Sequence, residues 1–504
     1  MKYLSMVALW PLINYLNLNY GKISGHTEIL IISVISLLSV FLYAYSLKKL
    51  FKFSFEKSLA SILVLCVFFF FYGDIVAFIG AKLSLPFKST YLYLIIMVSA
   101  LYCSLRFSGS EQLRTVSKIM IGVLFVSSIL NLAMTVYLDY TRIEKTEVAD
   151  SVDSDKTITL KHKPNIYYLL VDAYARQDTL KETANFDNSA FLQKMEKENF
   201  IVSRSARSNY HFTIASLSAT MNMKYHERSE NKTFSRELMY ESAGGDNDVR
   251  NILRQNGYQI INIPAHWYQT GCRGHEDVCL KGHNGFEIYE SYLKGTPLST
   301  FNFPPTYLET DSIKRACSLK GEKPKFIFAH FAQIHDSIYD DEGNFVSSLY
   351  PAYSGAENAK RYVASIKVMN KKILDLVTYI RIKDPTAVII IQADHGPTYT
   401  GKAQPTDIKY WLNHFDSLKI STPEEFRYTF GIFSAIYIPK YDDISYDKFA
   451  KYFSGDYTLV NTFRYLFSYL SEESPNLLAE NSHFIYYDSA ASAYKEDDIT
   501  HLIN

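Results

Sequence analysis

The N-terminal part of the chain is poor in charge and runs through long apolar stretches, which restricts its fold more than any other feature of the sequence. The first 140 residues carry 11 Lys or Arg and 5 Asp or Glu, whereas the remaining 364 carry 41 and 47. The two parts therefore have net charges of +6 and −6, and the 504-residue chain is neutral only on average. This balance excludes a strongly basic nucleic-acid binder and an acidic disordered chain, so we expect no nucleic-acid partner.

Five apolar stretches in this part have the length of a membrane-spanning helix, about 20 apolar residues, or nearly so. The first could instead be a signal peptide, but a single Lys2 and the absence of a small-residue cleavage pattern indicate that it is retained. We therefore predict an α-helical membrane anchor of five transmembrane helices over residues 1–140. The stretches are residues 3–16, 29–47, 59–79, 91–105 and 119–138.

The basic residues between these stretches predict the orientation of the anchor. The second and fourth connections are rich in Lys and Arg, and by the positive-inside rule they face the cytoplasm. Five crossings that start inside place everything after residue 140 on the other side, so we expect a bacterial inner-membrane protein with a periplasmic or extracellular domain. The basic residues are Lys48, Lys49, Lys52 and Lys57 in the second connection, Arg106, Arg114 and Lys118 in the fourth, and Lys22, Lys82 and Lys88 in the others.

One carboxylate interrupts the third apolar stretch. Asp74 follows Gly73 at the end of a run of Phe and Tyr residues. A carboxylate inside a membrane is a candidate functional residue. The alternative is that Asp74 lies near the outer interface, where Gly73 ends the apolar run.

The sequence after the anchor has the pattern of an α/β domain. Residues 141–163 are polar and lack an apolar period, which predicts a linker. Short apolar runs then alternate with helical patterns, which is typical of a mostly parallel sheet covered by helices on both faces. We therefore predict one large domain over residues 164–504. The apolar runs are 166–171, 260–263, 326–331 and 387–391, and the helical patterns include 188–198, 246–256 and 356–380.

Polar side chains with catalytic capability lie at the ends of three of these runs. Asp172 follows the first run, His330 and His335 lie at the end of the third, and Asp394 and His395 follow the fourth. Sheets of this kind bind ligands at the carboxyl ends of their strands. Two carboxylates and an imidazole suit Zn²⁺ or Mn²⁺, so Asp172, Asp394 and His395 are predicted to share one metal ion.

A nucleophile would complete such a site, and Thr213 has the sequence context for one. A polar segment that starts at Ser208 passes into a helical pattern, with Thr213 near the first turn. Free backbone N–H groups and the positive end of the helix dipole favour an alkoxide and a phosphate there, and coordination to a metal would lower the pKa of the hydroxyl. The alternative is that Ser208 or Thr213 caps the helix.

Residues 165–176, 209–217, 330–336 and 393–396 resemble the sulfatase-like branch of the alkaline phosphatase superfamily. A five-helix anchor followed by an outer catalytic domain also resembles lipoteichoic acid synthases and lipid A phosphoethanolamine transferases. Residues 460–464 are similar to a late segment of bacterial membrane sulfatase-like proteins. The resemblance therefore implies a membrane-anchored enzyme with an alkaline-phosphatase-like domain.

The resemblance also implies a role for individual residues. Thr213 matches the nucleophile in its Thr-x-x-Ser setting, and His335 matches a histidine that contacts the transferred group or a second metal. Asn209 and Arg176 are the expected substrate contacts, as ligands of an anion, whereas His330 could equally be a packed residue at a strand end. One divalent metal ion, Zn²⁺ or Mn²⁺, is expected. Its implied ligands are Asp172, Thr213, Asp394 and His395.

The sequence departs from true sulfatases in one respect. Those enzymes oxidise a Cys or Ser in a Cys/Ser-x-Pro-x-Arg motif to formylglycine, and no such motif occurs in this chain. A formylglycine sulfatase is therefore not expected. A second complete set of metal ligands is not evident either: His335 with His330, or His414, could contribute to one, but we expect a single ion.

These features favour an enzyme that acts on a membrane lipid, because the anchor places the site beside a leaflet. We expect metal-dependent transfer of a phosphate-linked head group from a membrane phospholipid to an envelope glycan or lipid, through a phospho-Thr213 intermediate. With water as acceptor, the same site would make a phosphodiesterase or a sulfate-ester hydrolase. A domain that has lost its activity and only binds glycan or a partner would not need the combined metal and nucleophile set.

Three cysteines lie in the outer part of the chain, an oxidising setting that permits disulfides. Cys272 and Cys279 could close an eight-residue loop, or either could pair with Cys317. One of the three would then remain a free thiol. A zinc knuckle that uses His275 is a further alternative.

Overall fold

The computed structural model of the chain has two compact units. The first unit consists of Met1–Asp153 and Gly285–Phe303, and the second of Ser154–Asn284 and Pro304–Asn504. Segment 285–303 belongs to the predicted outer domain in sequence but is grouped with the first unit. The residues that the structure describes are 2–18, 26–82, 89–146, 158–226, 236–265, 270–272, 274–282, 289, 292–293, 295–300, 307–336, 338–347, 355–397, 423–488 and 493–503.

The described N-terminal segments of the first unit are helical. Long apolar sequences favour helices where water is scarce, because a helix satisfies its own backbone hydrogen bonds. All five predicted apolar stretches are helical, except that the third is interrupted at Phe71. The helices are α1 (Lys2–Leu18), α2 (His26–Phe51), α3 (Phe55–Phe70), α4 (Tyr72–Lys82), α5 (Ser89–Arg106) and α6 (Glu111–Thr146).

Two of the described helices are long and apolar enough to cross a membrane. They are Glu28–Phe51 in α2 and Glu111–Tyr137 in α6, each with a mean hydropathy of 2.2. α5 contains a shorter apolar stretch, Tyr91–Arg106. The predicted count of five spanning helices is therefore not confirmed, because α1, α3 and α4 are each shorter than a span of about 20 residues.

The third predicted stretch, residues 59–79, is divided between α3 and α4. Asp74 lies in the first turn of α4, where a carboxylate interacts favourably with the helix dipole. The N–H of the preceding Gly73 donates to the carbonyl of Gly295 at 2.7 Å. A Cβ atom at Gly73 would lie 3.2 Å from the Gly295 Cα atom, so this close approach explains why the residue that ends the apolar run is a glycine.

Part of segment 285–303 packs within the first unit. The Tyr292 ring lies edge-on to Tyr15 and Phe70, with centroids 5.3 and 5.4 Å away. Tyr292 also shares an apolar cluster with Leu12 and Ile32. A segment that the sequence pattern assigns to the outer domain thus contributes to the core of the first unit.

A mostly parallel sheet is the framework of the second unit. The described strands are β1 (Ile166–Val171), β2 (Ile201–Val202), β3 (Gln259–Ile263), β4 (Val278–Cys279), β5 (Lys325–Phe331), β6 (Ile338–Tyr339), β7 (Phe345–Ser347), β8 (Val388–Gln392), β9 (Ser434–Tyr437), β10 (His483–Asp488) and β11 (Ala493–Asp498). The main sheet has the order β2-β9-β8-β1-β5-β3-β4. Pairing is parallel from β8 to β4 and antiparallel at the β9 and β2 edge. The predicted sheet is confirmed, with an antiparallel edge that the sequence pattern did not indicate.

The burial of the central strands explains why they could be recognised in the sequence. Every residue of β1, β5 and β8 is buried, so both faces of the sheet are covered and each strand is a near-continuous apolar run. β1 lies between β5 and β8 and is parallel to both. The carboxyl ends of the three strands therefore lie side by side at the same end of the sheet.

Helices connect and cover these strands. The predicted helical patterns 188–198, 246–256 and 356–380 correspond to α8 (Ser189–Lys197), α11 (Asp248–Gln255) and α14 (Gly355–Lys383). The Asn247 side chain caps α11 by accepting from the Arg250 N–H at 2.9 Å. The helices are α7 (Gln177–Ala184), α8 (Ser189–Lys197), α9 (Thr213–Asn222), α10 (Arg236–Gly244), α11 (Asp248–Gln255), α12 (Glu309–Ser318), α13 (Gln333–Asp336), α14 (Gly355–Lys383), α15 (Pro423–Phe430), α16 (Asp443–Ser454), α17 (Thr462–Ser471) and α18 (Thr500–Ile503).

A disulfide closes a loop at one edge of the main sheet. Cys272 is bonded to Cys279, and Cys317 is a free thiol. Cys279 lies in β4, where it is the register partner of Asn262 in β3. The pairing within the loop is therefore the correct alternative, and the sulfur atoms that a zinc knuckle would need are in the disulfide.

The double variant C272S/C279S should lower the free energy of unfolding by roughly 2.5 kcal/mol, because a cross-link over eight residues restricts the unfolded chain. Thermal unfolding of the full chain in detergent measures this loss as a lower melting temperature. C317S is the matched control, since it removes a thiol that forms no cross-link. Equal melting temperatures for the double variant and the wild type would contradict the expectation.

Candidate active site

The loop after β1 presents Asp172 in a fixed conformation. Asp172 is buried, with 2% of its surface exposed, and Ala173 has a positive φ of 58°, which is unfavourable for a residue with a Cβ atom. Tyr362 of α14 holds this turn from the side: its hydroxyl donates to the Ala173 carbonyl at 2.6 Å and accepts from the Ala175 N–H at 2.9 Å. The packing of α14 on the loop thus stabilises a backbone conformation that the loop would not adopt alone.

The loop after β8 brings Asp394 and His395 to the same place. One oxygen of Asp394, Oδ1, accepts from the N–H groups of Ala173 and His395 at 3.2 and 3.0 Å. The next residue, Gly396, lies so close to a neighbouring segment that a Cβ atom there would be 2.2 Å from the Tyr428 carbonyl oxygen. The Asp-His-Gly sequence therefore combines two functional side chains with a residue that must lack one.

The ring of His395 has a defined orientation. Its Nδ1 lies 2.7 Å from the Gly396 carbonyl oxygen, and because a carbonyl only accepts, Nδ1 carries the hydrogen. Nε2 is then the nitrogen that can offer a lone pair to a metal ion. It faces three oxygen atoms, Asp172 Oδ1 at 3.4 Å, Asp394 Oδ2 at 3.7 Å and Thr213 Oγ1 at 3.4 Å.

Thr213 is the first residue of α9 and is not its cap. The N-cap residue is Phe212, whose side chain makes no capping hydrogen bond, so neither Ser208 nor Thr213 fills the capping role that was the alternative reading. Thr213 keeps 8% of its surface exposed. The hydroxyl of Ser216, one turn later, donates to the Asp394 carbonyl at 2.6 Å, which fixes the start of the helix against the β8 loop.

These side chains fit a divalent cation. Asp172 Oδ1 and Asp394 Oδ2 are buried and have no hydrogen-bond partner within the described residues. Ligand atoms of Asp172, Asp394 and His395 lie within 4.8 Å of one another. Ligands about 2.1 Å from one ion in a tetrahedral arrangement lie roughly 3.4 Å apart, which agrees with the separations around Nε2 of His395. Two orphaned carboxylate oxygens, one imidazole lone pair and one hydroxyl could therefore hold Zn²⁺ or Mn²⁺.

The pKa values of the Asp172 and Asp394 carboxyl groups are shifted from their usual values in opposite directions. Burial would raise the pKa of Asp172, but the neighbouring charge of His335 and the hydrogen bond from His330 outweigh it, so the pKa lies below its usual range. Burial and the charge of Asp172 raise the pKa of Asp394. Two carboxylates this close repel each other, and a cation between them would relieve that repulsion.

The two histidines at the end of β5 have different positions. His330, in the strand, is completely buried, and its Nε2 lies 3.3 Å from Asp172 Oδ2. His335, in α13, is half-buried, and its ring centroid is 6.4 Å from that of His395. His330 therefore contacts a site residue rather than packing against apolar neighbours alone, and His335 lies beside the site. His414 falls outside the described residues.

The two expected substrate contacts are engaged in other hydrogen bonds. The Asn209 amide donates to Tyr225 and to the Asn481 carbonyl and accepts from the Val460 N–H. These bonds use its polar groups, so the described structure leaves Asn209 none to offer an anion. Two nitrogens of Arg176 form an ion pair with Asp178, at 2.8 and 2.7 Å, and Nη1 donates to the backbone. Both residues tie loops together, and neither supports the predicted anion-binding role.

Two residues close to the site were not among the predicted site residues. Both ring nitrogens of His211 are buried without a hydrogen-bond partner among the described residues, and burial together with the charge of His395 lowers the pKa of His211 to about 3. Tyr362, which supports the Asp172 loop, lies about 190 residues from it in sequence. His211 lies two residues before Thr213 in the sequence, whereas only the tertiary fold brings Tyr362 to the strand ends.

Fold and site together define a class of enzymes that act on phosphoryl or sulfuryl esters with the help of a divalent metal. A family model described as Sulfatase matches residues 164–418, half of the chain, and the chain belongs to this family. This confirms the resemblance to the sulfatase-like branch of the alkaline phosphatase superfamily, and the protein is an enzyme of that superfamily. No curated protein matches the chain significantly in sequence.

Several solved structures are similar to the chain at low identity. The integral membrane lipooligosaccharide phosphoethanolamine transferase A from Neisseria meningitidis has 13% identity and a TM-score of 0.40, and the match covers 94% of this chain and 95% of that one. The soluble domain of that transferase has 12% identity and a TM-score of 0.41, over 62% and 89% of the two chains. The C-terminal periplasmic domain of EcEptC from Escherichia coli, in complex with Zn, has 12% identity and a TM-score of 0.39, over 64% and 85%.

D172N should weaken binding of Zn²⁺ by at least about 100-fold, more than the loss of a partner outside the ligand set, because the variant lacks one of the two anionic ligands. Metal content after dialysis and chelator competition measure the change. D384N is the matched control: Asp384 is a partly buried carboxylate that accepts from Asn165 and Tyr167, at the opposite ends of the strands. Equal affinity of D172N and wild type would contradict the assignment.

Proposed function

We propose that the chain transfers a phosphate-linked head group from a membrane phospholipid to an envelope glycan or lipid. Thr213 would be the nucleophile, and one divalent ion, Zn²⁺ or Mn²⁺, would be bound by the ligand set. That set is Asp172, Thr213, Asp394 and His395. We further propose that the chain lies in the bacterial inner membrane with the second unit on the periplasmic or extracellular side.

One observation carries the proposal: a helix-terminal hydroxyl lies next to two orphaned carboxylate oxygens and an imidazole lone pair. Thr213 Oγ1 is 3.4 Å from His395 Nε2, at the start of α9, where free N–H groups favour a phosphate. The apolar helices of the first unit support a lipid as donor. A nucleophile, a cation site and a membrane segment in one chain are what head-group transfer from a lipid requires.

The reaction exchanges one phosphate ester for another in two steps. In the first step, a bond forms between Thr213 Oγ1 and phosphorus while the bond to the lipid alcohol breaks; Thr213 loses its proton and the alcohol leaves with one. In the second step, an acceptor hydroxyl attacks phosphorus, loses its proton and releases Thr213, which regains one. The bound cation supplies a lower pKa for the hydroxyl and neutralises charge on the phosphoryl group.

His335 would contact the transferred group. It lies beside His395 on a short helix directly after β5, and its charge is the largest of those that lower the pKa of Asp172. A donor in that place would stabilise negative charge on the phosphoryl oxygens, an interaction that typically contributes 10²- to 10³-fold to kcat. His335 thus complements the ligand set without belonging to it.

Hydrolysis is the second candidate, and membership of the sulfatase family favours it. A phosphodiesterase or sulfate-ester hydrolase would use the same first step and water as the acceptor. A formylglycine route has no support, because the chain lacks the Cys/Ser-x-Pro-x-Arg motif. The two candidates therefore differ only in the second step.

T213A should lower turnover at least about 10³-fold and leave folding and metal content close to wild type, because the other three ligands remain. T213S, which keeps a hydroxyl, should retain part of the activity. T220A is the matched control in the same helix: Thr220 is buried, and its hydroxyl donates to the Ser216 carbonyl at 2.7 Å. Undiminished turnover in T213A would reject the mechanism.

Labelled phospholipids separate transfer from hydrolysis. Purified protein incubated with labelled phosphatidylethanolamine or phosphatidylglycerol should label envelope acceptors and release little free head group. Mass spectrometry should find a phospho-adduct on Thr213 when acceptor is withheld. Release of free head group with no labelled acceptor would favour the hydrolase.

A further inference from the structure

The second oxygen of the Asp172 carboxylate is held by a buried histidine. Asp172 Oδ2 lies 3.3 Å from His330 Nε2, while Oδ1 of the same carboxylate faces His395. The His330 side chain is 0% exposed and that of Asp172 is 3% exposed. Because a carboxylate only accepts hydrogen bonds, Nε2 of His330 carries the hydrogen, and Nδ1 of the neutral ring is an acceptor.

The hydroxyl of Thr270 occupies that acceptor. Thr270 Oγ1 lies 2.8 Å from His330 Nδ1, and Thr270 is completely buried. The hydroxyl therefore donates to Nδ1, which fixes the tautomer and the ring orientation of His330. The three side chains form a hydrogen-bonded chain from Thr270 through His330 to the Asp172 oxygen that is not in the ligand set.

Strand β3 and the Cys272–Cys279 disulfide hold the segment that carries Thr270. The Asn262 amide donates to the Thr270 carbonyl at 3.0 Å, and Arg250 donates to the oxygen of the same amide at 3.2 Å. Two residues after Thr270, Cys272 is bonded to Cys279 in β4. The Thr270 carbonyl and the disulfide two residues later thus tie this segment to β3 and β4.

We propose that Thr270 and His330 are positioning residues for the metal site, which orient Asp172 so that Oδ1 faces Nε2 of His395. This inference rests on the proposed metal-dependent function. A partner of this kind orients a ligand and raises its basicity, and losing it costs about 10- to 100-fold in metal affinity or activity. A role in packing alone would change thermal stability and leave metal affinity unchanged.

T270V tests this role, because it removes the hydroxyl at nearly constant volume. In the full chain, purified in detergent and stripped of metal, T270V should bind Zn²⁺ about 10- to 100-fold more weakly than wild type in competition with a chromophoric chelator. H330A should show a loss of the same order. H330Q, whose amide can still donate to Asp172, should recover most of the affinity that H330A loses.

T458V is the matched control. Thr458 is also completely buried, but its hydroxyl donates to Glu480 at 2.8 Å, away from this chain of hydrogen bonds, so T458V should bind Zn²⁺ like wild type. If T270V does not fold, the comparison of H330Q with H330A decides the question, and equal affinities for that pair would overturn the inference.

D172N distinguishes this inference from the proposed function. Wild-type affinity in T270V and H330A, together with weak binding in D172N, would overturn the positioning role and leave the proposed metal site standing. Wild-type affinity in D172N as well would overturn the proposed function. Equal losses in T270V and T458V would show that the effect comes from packing, and this would also overturn the positioning role.

Discussion

The proximity of two buried carboxylates, Asp172 and Asp394, is the constraint on which the rest of the catalytic unit depends. Neighbouring parallel strands have their carboxyl ends at the same end of the sheet. The residues that follow β1 and β8 therefore lie close together. Like charges so placed repel, and each carboxylate offers an oxygen with no hydrogen-bond partner within the described structure. Hydrogen-bond donors stabilise the remaining oxygen of each carboxylate. Backbone N–H groups donate to the other oxygen of Asp394, and His330 donates to the other oxygen of Asp172.

The site is supported by hydrogen bonds between segments that lie far apart in sequence. Tyr362 in α14 holds the turn after β1, and Ser216 in α9 holds the loop after β8. Thr270, at the sheet edge, sets the orientation of His330. A ligand set built on strand ends is rigid only if such partners fix its side chains, and in this fold they come from three different connections between strands.

The sequence predicted part of this well because the relevant signals are local. The runs that became β1, β5 and β8 are apolar throughout, since both faces of the sheet are covered, and polar residues at their ends stand out. The count of five spanning helices was not confirmed, because residues 59–79 are divided at Phe71 into two shorter helices, a break that the apolar composition of the stretch does not reveal. The role expected for Asn209 had no local test, whereas Arg176 is ion-paired with Asp178, only two residues away. Each is bonded to loops that the fold alone brings near.

The sequence by itself determined the division into an apolar, positively charged part and an α/β part, and it picked out Asp172, Thr213, Asp394 and His395. Hydropathy and the alternation of strands and helices are properties of contiguous residues, so they can be recognised from the sequence alone. Only the tertiary structure decided which cysteines pair, which nitrogen of His395 faces the carboxylates, and which partners hold Asp172. Those outcomes depend on hydrogen bonds and packing between segments that are tens to hundreds of residues apart, and a linear pattern does not contain those distances.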